Sequence, residues 1–211
     1  MHNEKNQSPD NARYVGKFLG LKCAGDVLNV VYPVNNIQKE ISEAMSVIKH
    51  LRSITMDKPR KYEIYDMCAG NALASVLAAH LLPIKKATAI DLNKRDRNWD
   101  NAKRFIYLSG VDIHKMNIDM IKKDSIIIAI HACSGLAKRI IEIYVKSKAK
   151  HLIMLPCCAG KVEDNIIPDI FKEAIGKHSA WAWKLSKMCN GKLYRDDKCT
   201  SARNIIIRAS K

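Results

Sequence analysis

The sequence predicts an α/β fold: a doubly wound, mostly parallel sheet with helices on both faces. Three observations carry this. First, residues 62–93 read YEIYDMCAGNALASVLAAHLLPIKKATAIDLN. An apolar run (62–67) meets the small-residue turn Cys68-Ala69-Gly70-Asn71. An Ala- and Leu-rich helical run (72–82) stops at Pro83, and a second short apolar run (87–90) ends on Asp91. That is strand, tight turn, helix, strand, and parallel strands need such a crossover, nearly always right-handed. Second, residues 125–130 (SIIIAI) are continuously apolar without alternation, the mark of a strand covered on both faces. Third, strands and helices alternate at this length along most of the chain, which is the pattern of a doubly wound sheet.

Residues 1–12 are polar and read as disordered. Residues 13–34 fit no single element; within them 27–34 (VLNVVYPV) suits a short strand or extended segment, with Pro33 placing it at an edge. Ile37, Ile41, Met45, Ile48, Leu51 and Ile54 recur every three or four residues, predicting an amphipathic helix over about 36–54, capped by Asn35 or Asn36. The basic linker Lys58-Pro59-Arg60-Lys61 then divides an N-terminal extension (1–60) from the main domain (61–211). After Asp91 the basic stretch Asn93-Lys94-Arg95-Asp96-Arg97 leads into an expected helix with Trp99, Ala102, Phe105 and Ile106 on one face, ended by Gly110. Residues 111–118 (VDIHKMNI) read as a third strand, because Val111, Ile113 and Lys115 alternate.

Beyond 125–130 and His131-Ala132-Cys133-Ser134-Gly135, a helix is expected to about Ser147, burying Leu136, Ile140, Ile141 and Val145. A second buried strand follows at 151–155, closed by Pro156-Cys157-Cys158-Ala159-Gly160. Residues 161–178 read as a loop and a helix starting at Pro168, which Trp181, Trp183 and Leu185 continue. Asn190-Gly191 is a turn, and 203–209 (RNIIIRA) is the last strand.

Composition bounds the class. A chain of 211 residues with 47% apolar content is globular and can bury one good core. No apolar run approaches the roughly 18 residues of a membrane span, and the polar start MHNEKNQSPDNAR shows no leader. Seven cysteines, with Cys157 and Cys158 adjacent, suit neither a disulfide framework nor a C-x-x-C zinc clip, so a reducing, cytoplasmic setting is expected. A net charge of +15, from 36 Lys and Arg against 21 Asp and Glu, favours a polyanionic partner, RNA being the expectation; a lysine-rich proteome is the bland account.

In open α/β sheets ligands bind just beyond the carboxyl ends of the strands. The Cys-Ala-Gly-Asn turn lets a ligand approach the backbone, and Asp91 is placed to accept hydrogen bonds from a ribose. D-x-C-x-G-x-A stands where a dinucleotide site has G-x-G-x-x-G, so a cofactor with a ribose and no phosphates fits better, S-adenosylmethionine above all. The alternative is an ordinary tight turn beside a surface Asp.

The ordered set D-M-C-A-G-N-A (66–72), I-D-L-N (90–93), I-H-A-C (130–133), L-P-C-C (155–158) and T-S-A-R-N (200–204) resembles a group of S-adenosylmethionine-dependent methyltransferase-like proteins. That group carries D-x-C-A-G-x-G, H-x-C and P-C-C and includes the eukaryotic tRNA 2′-O-methylating enzymes. The resemblance covers about 62–210. It implies a seven-stranded Rossmann-like methyltransferase sheet. It places Asp66, Cys68, Ala69 and Gly70 around the methionine end of the cofactor, Asp91 on the ribose, Leu92 beside the adenine, Asn117 and Ile118 at the adenine edge, and His131 near the methyl sulfonium, with Asn71 also among the cofactor-binding residues. Ala72 stands where the group has Gly; its extra methyl narrows the turn.

Methyl transfer needs donor and acceptor aligned, and a base is optional. His131 suits a general base, or is a satisfied structural histidine. Cys68, Cys133, Cys157 and Cys158 are all expected past strand tips on one edge. A thiolate there, Cys157 for instance, suits attack on a pyrimidine carbon, and four thiols with His131 suit a metal. The weightier account is small buried side chains beside tight turns, so no metal is assigned. The N/D-P-P-Y/F tetrapeptide of many amine methylases is absent. Trp181 and Trp183, among Lys177, Lys184 and Lys187, suit base stacking or packing beneath the last helix. Lys94, Arg95 and Arg97 are candidates for phosphate contact.

The expected function is therefore an S-adenosylmethionine-dependent methyltransferase acting on RNA, tRNA or rRNA. The alternatives are a catalytically silent RNA- or partner-binding module on the same fold and a protein or small-molecule methyltransferase. Asp91→Ala is expected to abolish cofactor binding with little change in melting.

Overall fold

A computed structural model describes residues 13–158 and 167–211; the disordered segment expected over 1–12 and the loop over 161–166 lie outside them. The chain runs α1 (Arg13–Leu19), α2 (Ala24–Val31), α3 (Ile37–Thr55), β1 (Glu63–Met67), α4 (Leu73–Leu81), β2 (Lys86–Ile90), β3 (Phe105–Leu108), β4 (Ser125–Ile130), α5 (Gly135–Lys146), β5 (His151–Leu155), α6 (Asp169–Ile175), α7 (Lys177–Met188), β6 (Lys192–Arg195) and β7 (Ile205–Ser210). The seven strands form one sheet in the order β3-β2-β1-β4-β5-β7-β6. Strands β1 to β5 are parallel, while β7 runs antiparallel to both β5 and β6.

The sheet is covered on both faces, as its unalternated apolar strands require. On one side α2, α3 and α4 pack through Val27, Val31, Val47, Leu51 and Leu77 against Ile64, Ile126 and Ile128. On the other, α5 and α7 pack through Ile140, Tyr144 and Trp181 against Tyr65, Ile127 and Met154. Among the described residues no helix is long and apolar enough to cross a membrane.

Three elements differ from the sequence expectation. Residues 24–31 are helix, not strand: Val27, Val30 and Val31 are buried at helical spacing, and β-branched composition misleads where tertiary burial decides. Tyr32, ahead of Pro33, is extended. The helix expected after Arg97 is instead one 3-10 turn (Trp99–Asn101) followed by β3. Trp99 stacks on Tyr107 at 4.5 Å and packs on Phe105 at 5.5 Å, so an apolar spacing that suits a helix serves a turn folded over a short edge strand. The third strand is therefore β3, and 111–118 is a loop in which the Asn117 side chain accepts the Asp119 N–H of a second 3-10 turn. Strand β6, exposed along its length, escaped notice because it has no buried face to pattern it. It follows Gly191, where any Cβ would meet Ile207 Cγ2 at 2.8 Å.

Candidate functional site

The strand order reverses between β1 and β4, and there the carboxyl edge opens into a cavity of about 390 Å³. This is the switch-point crevice where doubly wound sheets bind ligands, and its size is that of a small-molecule site. Two loops frame it, and both leave their strands through left-handed residues. After β1 these are Cys68, Gly70 and Ala72 (φ 56°, 54° and 54°); after β4 they are His131 and Ser134 (φ 58° and 49°). Such strain in non-glycine residues persists where the surroundings enforce it, commonly at functional sites. Gly70 needs glycine for its backbone angle and not for lack of room, since a Cβ there would meet nothing within 4 Å. Ala72 holds a left-handed angle at a cost of about 1 kcal/mol, and its methyl lies in the core at the start of α4.

Of the sequence-derived candidates, Asp66, Cys68, Ala69, Gly70, Asn71 and His131 line this cavity together. Asp91, Leu92, Asn117 and Ile118 do not. Asp91 is buried and braces the frame: one carboxylate oxygen accepts the Gly70 N–H at 2.8 Å, the other the Asn93 N–H at 2.8 Å. Tyr107 crosses the same gap, donating to the Gly70 carbonyl at 3.1 Å. Leu92 is exposed.

Asp66 is buried at the end of β1 and accepts the Ser75 hydroxyl at 2.7 Å. Burial pushes its carboxyl up to about 7; nearby Asp91 adds to this, and the Ser75 hydrogen bonds oppose it. Burial, aided by Asp91 and Asp66, pushes the Cys68 thiol up to about 12, so at neutral pH it is not a thiolate nucleophile.

The sequence reading missed what α3 brings. Glu43, almost wholly buried, meets His131 Nε2 at 2.6 Å, and Glu40 accepts from Asn71 Nδ2 at 2.7 Å. Lys39 lies 3.7 Å from Glu43. Nε2–H is donated to Glu43, and Nδ1 is buried with no hydrogen-bond partner among the described residues. A carboxylate thus orients an imidazole whose other nitrogen has no partner among the described residues. The sequence carries no signal for this, since Glu43 lies off the apolar face of α3; once the fold buries it with Ser42 and Ala44, it needs a partner inside.

The basic candidates divide. Lys94 is exposed, Arg95 lines the cavity, and Arg97 is committed to the Pro33 carbonyl at 2.8 Å. Trp181 is fully buried in the core and unavailable to a base, whereas Trp183 is partly exposed beside Phe171 and Lys187. The four cysteines do not gather on one point. Cys133, Cys157 and Cys158 cluster past β4 and β5, with Cys133 and Cys157 joined as a disulfide that the sequence reading did not expect, while Cys68 belongs to the cavity. Adjacent parallel strands explain the pairing: it bridges Cα atoms 5.8 Å apart.

The profile of a family described as a methyltransferase domain matches residues 37–165. The chain belongs to this methyltransferase-domain family. The match begins at the first residue of α3, so the helix that carries Glu40 and Glu43 lies within it. No curated protein matches the chain. Among solved structures, the fibrillarin/Nop5p complex is similar with a TM-score of 0.55 at 13% identity, covering 82% of each chain. The methyltransferase domain of bacterial CtHen1 follows at 0.53 and 12%, covering 82% of this chain and 100% of that one. Magnesium protoporphyrin IX methyltransferase from Synechocystis PCC 6803, with bound SAH, gives 0.51 and 13%, covering 90% and 95%. At such identities the likeness is one of fold: the methyltransferase domain has the seven-stranded, mostly parallel sheet of these proteins.

Proposed function

We propose that this methyltransferase uses S-adenosylmethionine and acts on RNA. The observation that carries the reading is the cavity at the β1/β4 switch point, where the left-handed Gly70 loop, Asp66 and the Glu43–His131 pair converge. The residues present fit the cofactor: the space beyond Gly70 is open, and the walls carry the carboxylates of Asp66, Glu40 and Glu43, complementary to an ammonium and a sulfonium. Asp66, Cys68, Ala69, Gly70 and Asn71 would hold its methionine end. Asp91, Leu92, Asn117 and Ile118 would serve the ribose and adenine, with Asp91 retaining lone pairs beyond the two it gives Gly70 and Asn93. When bound, the cofactor supplies a methyl group already activated by sulfonium.

The chain's own work is alignment and proton handling. The Glu43–His131 pair in the cavity wall takes the proton of the acceptor group as it reacts, with Glu43 stabilising the charged ring that forms. Support for RNA is the net charge of +15, with Arg95 in the cavity wall and Lys94 exposed beside it.

One observation favours a second reading, a silent RNA-binding module: the Gly70 N–H, which a ligand would use, is already taken by Asp91. Calorimetry with S-adenosylmethionine and its demethylated product separates the two. Binding in the micromolar range, with labelled methyl groups entering cellular RNA, is expected. No binding at millimolar cofactor removes the enzyme reading, and label that survives ribonuclease points to a protein or small-molecule acceptor.

A further inference from the structure

Three sulfurs meet where β4 and β5 end. β4 pairs in parallel with β5, Ile130 opposite Leu155, so Cys133 past one tip comes to Cys157 and Cys158 past the other. The two loops are pinned independently of sulfur: the Ser134 N–H donates to the Cys158 carbonyl at 2.9 Å and the His131 N–H to the Leu155 carbonyl at 2.8 Å. The Cys157 and Cys158 sulfurs are 3.5 Å apart, and all three sulfurs lie within 4.8 Å of one another. Packing does not account for them. Cys189 and Cys199 are buried, as small apolar side chains should be, but Cys133 and Cys158 are exposed.

We propose that, once the Cys133–Cys157 disulfide is reduced, the cluster binds one thiophilic divalent cation of the zinc class through Cys133, Cys157 and Cys158, with the fourth position open to solvent. A tetrahedral ion with metal–sulfur bonds of about 2.3 Å sets its sulfurs about 3.8 Å apart, close to the spacing that Cys157 and Cys158 already have. The chemistry balances in two steps. A dithiol reductant delivers two electrons and two protons to the disulfide and leaves as its own disulfide. The three thiols then lose three protons as the dication binds, leaving a tris-thiolate site of net charge −1. The Arg203 guanidinium, which donates to the Cys157 carbonyl, offsets that charge. Because the Cys133 and Cys157 sulfurs lie 3.3 and 3.6 Å from the His131 carbonyl oxygen, a bound ion fixes the loop that presents His131 to the cavity.

The test uses the full chain, reduced and anaerobic, titrated with Co²⁺ as the probe. An intense near-ultraviolet thiolate-to-cobalt band saturating at one equivalent, and displaced by Zn²⁺, is expected. Cys158→Ser, at an exposed position, should keep the metal-free melting curve and lose the band, while Cys68→Ser should keep it. The oxidised protein, with five titratable thiols in denaturant where the reduced has seven, should not bind. Absence of the band at one equivalent, its survival in Cys158→Ser, or equal binding by the oxidised protein overturns the proposal. Each of these outcomes leaves the cofactor reading untouched, since calorimetry with S-adenosylmethionine reports on the cavity alone.

Discussion

Substituting Asp66→Asn should make the protein more stable at pH 8 and hardly change it near pH 4. Asp66 is 3% exposed, and burial lifts its carboxyl from an ordinary value of 3.8 to about 7. Below pH 3.8 the group is protonated whether the chain is folded or not, and above about 7 it is ionised in both states. Between those limits the folded chain holds a proton that the unfolded chain has released. Stability therefore falls as pH rises through the window, at up to about 1.4 kcal/mol per pH unit and about 4 kcal/mol in all. Asparagine keeps an oxygen to accept from Ser75 but cannot ionise, so the variant loses this slope. Urea unfolding followed by circular dichroism at several pH values measures the gap between the two proteins. We expect about 2–4 kcal/mol in favour of the variant at pH 8, closing toward zero at pH 4. A gap of the same size at both ends would show that Asp66 is not held protonated by the fold. The same substitution should weaken binding of a cationic cofactor, because the ionised carboxylate that costs stability is the form that attracts an ammonium.

Asp91→Ala should cost about 2–4 kcal/mol in urea unfolding, because it strands the N–H groups of Gly70 and Asn93; the sequence alone suggested little change in melting. Glu43→Gln should lower the rate constant of methyl transfer about tenfold or more while leaving the KM for cofactor near its original value, read by steady-state kinetics, and an unchanged rate constant would remove Glu43 from the proton path. Asp196→Ala should cost about 3 kcal/mol, since the Tyr14 and Ser46 hydroxyls both donate to it at 2.6 Å. Burial works to raise the Asp196 carboxyl, but those hydrogen bonds hold it below its ordinary value, so its stabilisation is present above about pH 4 and the cost of the substitution should shrink in acid.

What was legible in the sequence was whatever a period or a turn encodes. The five inner strands and the glycine turn after β1 announced themselves because the strands read as apolar runs buried in the sheet and because tight βα turns demand small residues. Edge elements were not legible. β3 has four residues, too few to show a period, and β6 has no buried face. Helix α2 is valine-rich and is decided by what it packs on, not by propensity. In the site, Asp66 and Gly70 could be placed because local motif geometry fixes them. Glu43 could not, since its meaning depends on a contact 88 residues away along the chain.

That contact bears on how the fold and the chemistry depend on each other. Helix α3 is not amphipathic in the ordinary sense, for its buried residues run nearly around it. Ile41, Val47 and Leu51 join the core against α4 and the sheet, while Ser42, Ser46 and His50, spaced by four, face β6 and the segment that follows it through Thr200, Asp196 and Tyr194. Glu43 sits between these two surfaces and reaches His131 beyond β4. A carboxylate is kept in such surroundings only with a partner, because an unpaired buried charge costs several kcal/mol. The partner is a histidine on a strained loop, and the loop is held by backbone bonds to the end of β5. The packing that fixes α3 therefore also holds the His131 ring, so a core substitution on α3 that rotates the helix would move Glu43 away from His131 and shift Glu40 and Glu43 in the cavity wall together.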